Sequence, residues 1–224
     1  MDIRFLGHAA FALEHDGTTV LVDPFLTGNP KTAASADDVA ADVILVTHGH
    51  ADHVGDAVPI AKRTGATVVA ITELAGEIGA AGVDTLDPNL GGTVEFEWGS
   101  VRLTPAWHTS TTPSGMVNTP AGLVIEIGGK RIYHLGDTAL FSDLALAGKR
   151  GRLDATLLCI GGHYTMDRFD AVEAARLIGA DLVVPCHYNT FPPIETDAQA
   201  FKSDVQNAGY AQVVVLAPGE THTP

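Results

Sequence analysis

Apolar residues recur along this chain in short runs, and glycine, proline or an acidic pair breaks nearly every run. Ile3–Leu6, Phe11–Glu14 and Thr19–Val22 read as strands, with Asp16-Gly17 as a hairpin turn between the last two. Asp23-Pro24 ends the third, and a polar loop with Gly28, Asn29 and Pro30 follows. Val43–Val46 is a continuous apolar run of the kind a fully buried strand carries. From Asp52 to Thr64 the period changes. Val54, Ala57, Val58 and Ala61 fall at helical spacing, and Gly65 supplies the stop. A strand Thr67–Ile71 and a short helix from Glu73 come next. Val94–Phe96 and Val101–Thr104 form an antiparallel pair around Trp98-Gly99, and Leu123–Ile127 and Arg131–Leu135 another around Gly128-Gly129. The remainder alternates: helix Ser142–Ala147, strand Ala155–Ile160, helix Arg168–Ile178, strand Leu182–Pro185, helix Ala198–Ala208, strand Val213–Leu216.

Antiparallel strands are expected to dominate each half. Helices outside two packed sheets are the layering this order favours. No low-complexity tract or linker divides the 224 residues, so a single domain over 1–224 is expected. The formal net charge of −14 argues against a nucleic-acid or anionic-membrane partner. Met1 leads straight into Asp2-Ile3-Arg4-Phe5-Leu6 rather than a leader, and no apolar run is long enough to span a bilayer. Cys159 and Cys186 are too few for a disulfide framework and lie in apolar contexts, so buried thiols and a cytoplasmic protein are expected.

The chemistry concentrates in Thr47-His48-Gly49-His50-Ala51-Asp52-His53, directly after the run 43–46. Imidazole is the commonest metal-ligating side chain and Asp a hard oxygen donor. In an extended segment His48 and His50 point the same way, and the following turn brings Asp52 and His53 to the start of the helix. Four donors can therefore converge on one point or on two neighbouring ones. Further donors stand where strands end: His108 after Pro105-Ala106-Trp107, Asp137 in Leu135-Gly136-Asp137-Thr138, and His187 in Pro185-Cys186-His187-Tyr188.

The pattern His-x-His-x-Asp-His, followed in order by His, Asp and His, resembles the metallo-β-lactamase superfamily. That resemblance implies an α/β fold of the α+β type, a four-layer αββα sandwich with related halves. It implies a first metal held by His48, His50 and His108, a second by Asp52, His53 and His187, and Asp137 bridging them. The implied cofactors are two divalent ions, zinc or manganese before iron or nickel, with hydroxide generated between them and Asp52 orienting it. The segments Gly7-His8-Ala9-Ala10-Phe11, Asp23-Pro24-Phe25-Leu26, Gly136–Phe141, Thr165-Met166, His187–Pro192 and Pro218-Gly219-Glu220 narrow the resemblance. They are similar to uncharacterised bacterial and archaeal metal-dependent hydrolases near the ascorbate-6-phosphate lactonase-like branch. Gly162-His163 stands where many such relatives carry an Asp-Asn pair.

The other histidines divide. His8 and His163 follow strands beside glycines, which leaves two readings: a hydrogen-bonded structural group, or a catalytic cleft group that binds substrate or protonates a leaving group. We expect the second, with neither an obligatory ligand. His134 is out of phase with Asp137 and reads as structural, and His15 and His222 as solvated. The expected activity is hydrolysis of an ester, lactone or phosphodiester of a small molecule, with homo-oligomerisation left open. The alternatives are a nucleic-acid phosphodiesterase, an iron redox enzyme on the same scaffold, and a non-catalytic metal-binding regulator. Charge weighs against the first, the hydrolytic Asp-His pair at 52–53 against the second, and the complete donor set against the third.

Overall fold

The computed structural model describes residues 1–224. The first half runs β1 (Asp2–Gly7), β2 (Ala10–His15), β3 (Thr18–Val22), β4 (Val43–Leu45), α1 (Ala51–Val54), α2 (Ala57–Thr64), β5 (Thr67–Val69), α3 (Thr72–Ala80) and β6 (Thr85–Leu86). The second runs β7 (Thr93–Phe96), β8 (Gly99–Pro105), β9 (Ala121–Ile127), β10 (Lys130–His134), a 3₁₀ segment Ser142–Arg150, β11 (Ala155–Cys159), α4 (Arg168–Ile178), β12 (Leu182–Cys186), a 3₁₀ turn Pro192–Ile194, α5 (Ala198–Asn207) and β13 (Gln212–Val213). β14 (Thr221–His222) returns to the first sheet.

Two seven-stranded sheets result, ordered β14-β1-β2-β3-β4-β5-β6 and β13-β12-β11-β10-β9-β8-β7. The expectation of antiparallel dominance needs correction. Each sheet carries three antiparallel and three parallel pairings, because helical crossovers join the later strands of each half. β1 to β6 and β8 to β13 repeat one plan: two antiparallel hairpins, then three parallel steps. The two halves thus share a topology.

Residue alternation builds the layers. Leu123, Ile125 and Ile127 of β9 join Val101, Leu103 and Ile132 in the core shared with β1 to β5. Val124 between them faces the other way, with Tyr133, Leu158 and Val183, against Ala171, Ala174 and Ile178 of α4 and Phe201 and Val205 of α5. On the far side α2 and α3 bury Ala57, Ile60, Leu74 and Ile78 on the first sheet. The order is helix, sheet, sheet, helix.

Local readings shift in four places. The helix expected over 52–64 is two helices, broken at Gly55-Asp56. Gly55 has φ +43° and a Cβ there would meet the backbone of Pro24-Phe25. Asp56 docks on the same loop: its N–H donates to Pro24 O at 2.9 Å, and its carboxylate accepts from Leu26 and Thr27 N–H at 3.0 and 2.7 Å. The segment from Ser142 is 3₁₀ rather than α. The last strand stops at Val213, and two-residue strands β6 and β14, with too little apolar signal to read, close one sheet. Cys159 and Cys186 are buried free thiols on in-register neighbouring strands. No helix is long and apolar enough to cross a membrane.

Candidate metal centre

Loops leaving the ends of six strands converge on one point between the sheets. β1 delivers His8, β3 Asp23, β4 the run Thr47–His53, β8 His108, β10 Asp137 and β12 His187. His48, His50 and His108 form one group of donors. His8, Asp52, His53 and His187 form another, and His48, His53 and Asp137 a third. In each, one donor atom per residue lies within 4.8 Å of the others. Asp137 links them. Its Oδ2 is 3.1 Å from His187 Nε2, 3.5 Å from His108 Nε2 and 4.0 Å from His48 Nε2, while its Oδ1 is 3.4 Å from His53 Nε2.

Asp23, buried at 0% exposure, sets the imidazole tautomers. Its Oδ1 accepts the Thr47 N–H at 2.8 Å, and its Oδ2 accepts the Thr47 hydroxyl at 2.7 Å and the His53 Nδ1–H at 2.7 Å. The Thr47 proton is therefore committed to Asp23, so at the 3.0 Å contact His48 Nδ1–H donates to Thr47 Oγ1. His48 is left with a bare Nε2 aimed inward, and His53 would present one once a cation displaced its second proton. His48 Nε2 lies 3.0 Å from His50 Nδ1. Gly49 makes the bend between them. A side chain there would collide with Asn118, whose Oδ1, with Ser110 Oγ, receives the Gly49 N–H.

The electrostatics follow from burial. Burial pushes His48 well below its ordinary value, with the charge of His53 adding to this, and lowers His50 and His108. For His53 burial also acts downward, but Asp137 and Asp23 outweigh it and hold the ring well above the ordinary value. Burial would raise the Asp137 carboxyl, yet His187 and His53 hold it well below the carboxylate range. Burial brings His8 down to about 4.

His8 sits deeper than the sequence suggests. It is 1% exposed at φ +60°, with Nδ1 2.8 Å from Thr190 Oγ1 and Nε2 3.1 Å from Asp52 Oδ2. It belongs by distance with Asp52, His53 and His187, although we expected it beyond the ligands. His163 departs from expectation. At φ +57° its turn carries the ring outward, exposed and edge-on to Tyr164, and Tyr164 takes the place in the cleft wall. His134 hydrogen-bonds Ala9 O and accepts the Gly136 N–H, both at 3.0 Å. His15 and His222 are partly buried.

A cation fits these residues. His53 Nε2, His187 Nε2 and Asp137 Oδ1 are buried with no hydrogen-bond partner, an arrangement that costs stability unless something shared satisfies them. Nitrogen and carboxylate donors of this mixture suit zinc, manganese or iron. The centre opens on a cleft of about 390 Å³ lined by His50, Ala51, Asp52, His108, Asp137, Tyr164, His187 and Phe191. Sequence reasoning placed Asp23 only at a strand end and gave Thr190 no role. The signal for Asp23 was an acid next to the turn Pro24 after a buried strand.

Comparison with known proteins shows the family to which the chain belongs. Residues 2–187 match the family model described as the beta-lactamase superfamily domain. A metal-dependent hydrolase of Thermus thermophilus is 48% identical over 98% of this chain and 97% of its own. One of Methanopyrus kandleri is 46% identical over 99% of both. Among solved structures, a metallo hydrolase from the hyperthermophilic archaeon Ignicoccus hospitalis has a TM-score of 0.91 and 38% identity, covering 99% of this chain and 97% of that one.

Proposed function

Since this chain belongs to the beta-lactamase superfamily and to its metal-dependent hydrolases, we propose that it uses two divalent cations, zinc or manganese, to hydrolyse an ester, lactone or phosphodiester of a small molecule. His48, His50 and His108 would hold one cation. Asp52, His53 and His187, with His8 adjoining, would hold the other. The observation that carries this reading is Asp137, whose two oxygens face histidines of both groups. Bound divalent cations supply water acidified to near neutrality and polarise a carbonyl or phosphoryl oxygen.

The protein's own part is protons and placement. Asp52 is the partly open carboxylate of the cleft, at 32% side-chain exposure. Burial would raise it, but His8, with neighbouring His53, holds it below the ordinary carboxylate range, so it is anionic at neutral pH. It can orient a water by accepting its hydrogen bond. His8, neutral and backed by Thr190, fixes that carboxylate. Tyr164, on the loop after β11, lines the cleft beside these groups.

Elemental analysis of protein purified without chelator should give close to two ions per chain. A screen of lactones, thioesters and phosphodiesters with metal-loaded protein should find turnover that EDTA abolishes. A ratio near zero after reconstitution, or turnover that survives complete metal removal, overturns the proposal. The substrate is taken to be a free small molecule. With a chain of net charge −14, sub-micromolar RNA binding at physiological salt would favour a nuclease instead.

A further inference from the structure

Building on the hydrolase reading, we infer that the group this cleft accepts beyond the scissile bond is uncharged and aromatic or apolar. Three observations converge. The cleft wall contains no lysine or arginine: past the metal-ligating side chains it offers only Ala51, Tyr164 and Phe191. A substrate with a second anionic group would need a cation to replace its hydration, because an anion desolvated without a partner is costly. Second, both aromatic rings are placed to be used. Tyr164 is 55% exposed although it lines the cleft. Phe191 is braced from behind by Phe25 at 6.4 Å and His8 at 5.6 Å between ring centroids. Third, the net charge of −14 disfavours the approach of anions from solution.

A further exposed ring adjoins His108 in the chain. Trp107, next to His108, is 69% exposed, and its ring centroid is 6.4 Å from that of Phe141. Its backbone N–H donates to Thr138 Oγ1 at 2.9 Å and its carbonyl accepts from Ala139 at 3.0 Å, so its main chain is fixed to the Asp137 loop. An exposed tryptophan whose main chain is fixed beside His108 offers a further ring to an aryl group.

The test compares ligands that differ only in charge, on metal-loaded protein. 4-Carbamoylbenzohydroxamate and 4-carboxybenzohydroxamate measure binding by calorimetry, and 4-carbamoylphenyl and 4-carboxyphenyl acetate measure turnover. The neutral member should be preferred about tenfold in each pair. Tyr164→Ala should weaken the neutral aryl hydroxamate about tenfold, the upper range for one lost ring contact, and leave acetohydroxamate unchanged. Tyr164→Lys should reverse the charge preference. Equal or tighter binding of the carboxylate, or a Tyr164→Ala loss that is the same for aryl and methyl hydroxamates, overturns the inference. Neutral preference in binding with neither ester hydrolysed would sustain this inference and count against ester hydrolysis. Hydrolysis of both esters without discrimination would do the reverse.

Discussion

Replacing Asp23 by Asn should weaken metal binding while leaving the fold nearly intact. The Asn carbonyl can still accept the Thr47 N–H now held at 2.8 Å. Its NH₂ then stands where Oδ2 accepts from Thr47 Oγ1 and His53 Nδ1, both at 2.7 Å, and must donate to both. Thr47 is freed to donate to His48 Nδ1, and His53 Nδ1 becomes an acceptor. Each ring must then carry its proton on Nε2, the atom aimed at the cation. Loss of one such outer partner typically costs about 10–100-fold in metal affinity, roughly 1.4–2.7 kcal/mol, and here two ligands change tautomer together. Every hydrogen bond is remade, so the metal-free protein should lose only about 1–2 kcal/mol from weaker, uncharged acceptors. For a chain of this size that is roughly 2–8 °C in Tm. Competition against a chromophoric chelator gives the affinity, and imidazole nitrogen shifts give the tautomers. Asp56→Asn is the control. Its carboxylate caps the Leu26 and Thr27 N–H groups away from the ligands, so it should lower Tm without changing affinity. Wild-type affinity in Asp23→Asn, with His48 and His53 tautomers unchanged, would refute the reasoning.

Other outcomes follow from the same contacts. Asp137→Ala and His187→Ala should lose bound metal and the thermal stabilisation it confers by mass action; full metal content with unchanged Tm in both would show that the ligands lie elsewhere. In the metal-free protein, burial depresses His8 to about 4 and lowers His48 and His134, so below pH 6.5 the unfolded chain binds protons the native one does not. Stability in EDTA should therefore fall from pH 6.5 toward 4, with His8 alone contributing up to about 3 kcal/mol. His53, held above its ordinary value, acts with the opposite sign: its contribution is present below pH 6.5 and fades as pH rises through its folded value. A Tm that rises on acidification over that range would contradict this balance. Gly49→Ala should drive a methyl into Asn118 and Thr112, lowering Tm by several degrees and reducing metal content; an unperturbed variant would show that the bend has slack.

The strands were legible because their apolar runs are local, and α4, Arg168–Ile178, because its helical period closes at Gly179. The donors were legible because they follow buried strands. What escaped depends on partners distant in sequence. Nothing in residues 52–64 announces a break at Gly55; the reason is a loop thirty residues earlier that Asp56 caps. Asp23 reads as the turn before Pro24 until the fold brings His53 to it. His8 and His163 look alike as strand-end histidines beside glycine. A left-handed turn buries the first against Thr190 and exposes the second. His163 was therefore misplaced from sequence, and Tyr164, one residue on, was not considered.

The repeated strand plan of the two halves bears on how such a centre can exist at all. Two identical subunits related by a two-fold axis would be bound to present the same residue from both sides of their interface. Joined in one chain, the halves escape that constraint. The loop after β4 carries His48, His50, Asp52 and His53, whereas its counterpart after β11 carries Gly161, Gly162, His163 and Tyr164. The loop after β3 supplies Asp23 as a buttress, and its counterpart after β10 supplies Asp137 as the link between donor groups. Both halves contribute to the donor cluster, His48, His50, Asp52 and His53 from the first and His108, Asp137 and His187 from the second, but from different loops and with different side chains. A symmetric assembly could not divide the donors in this way.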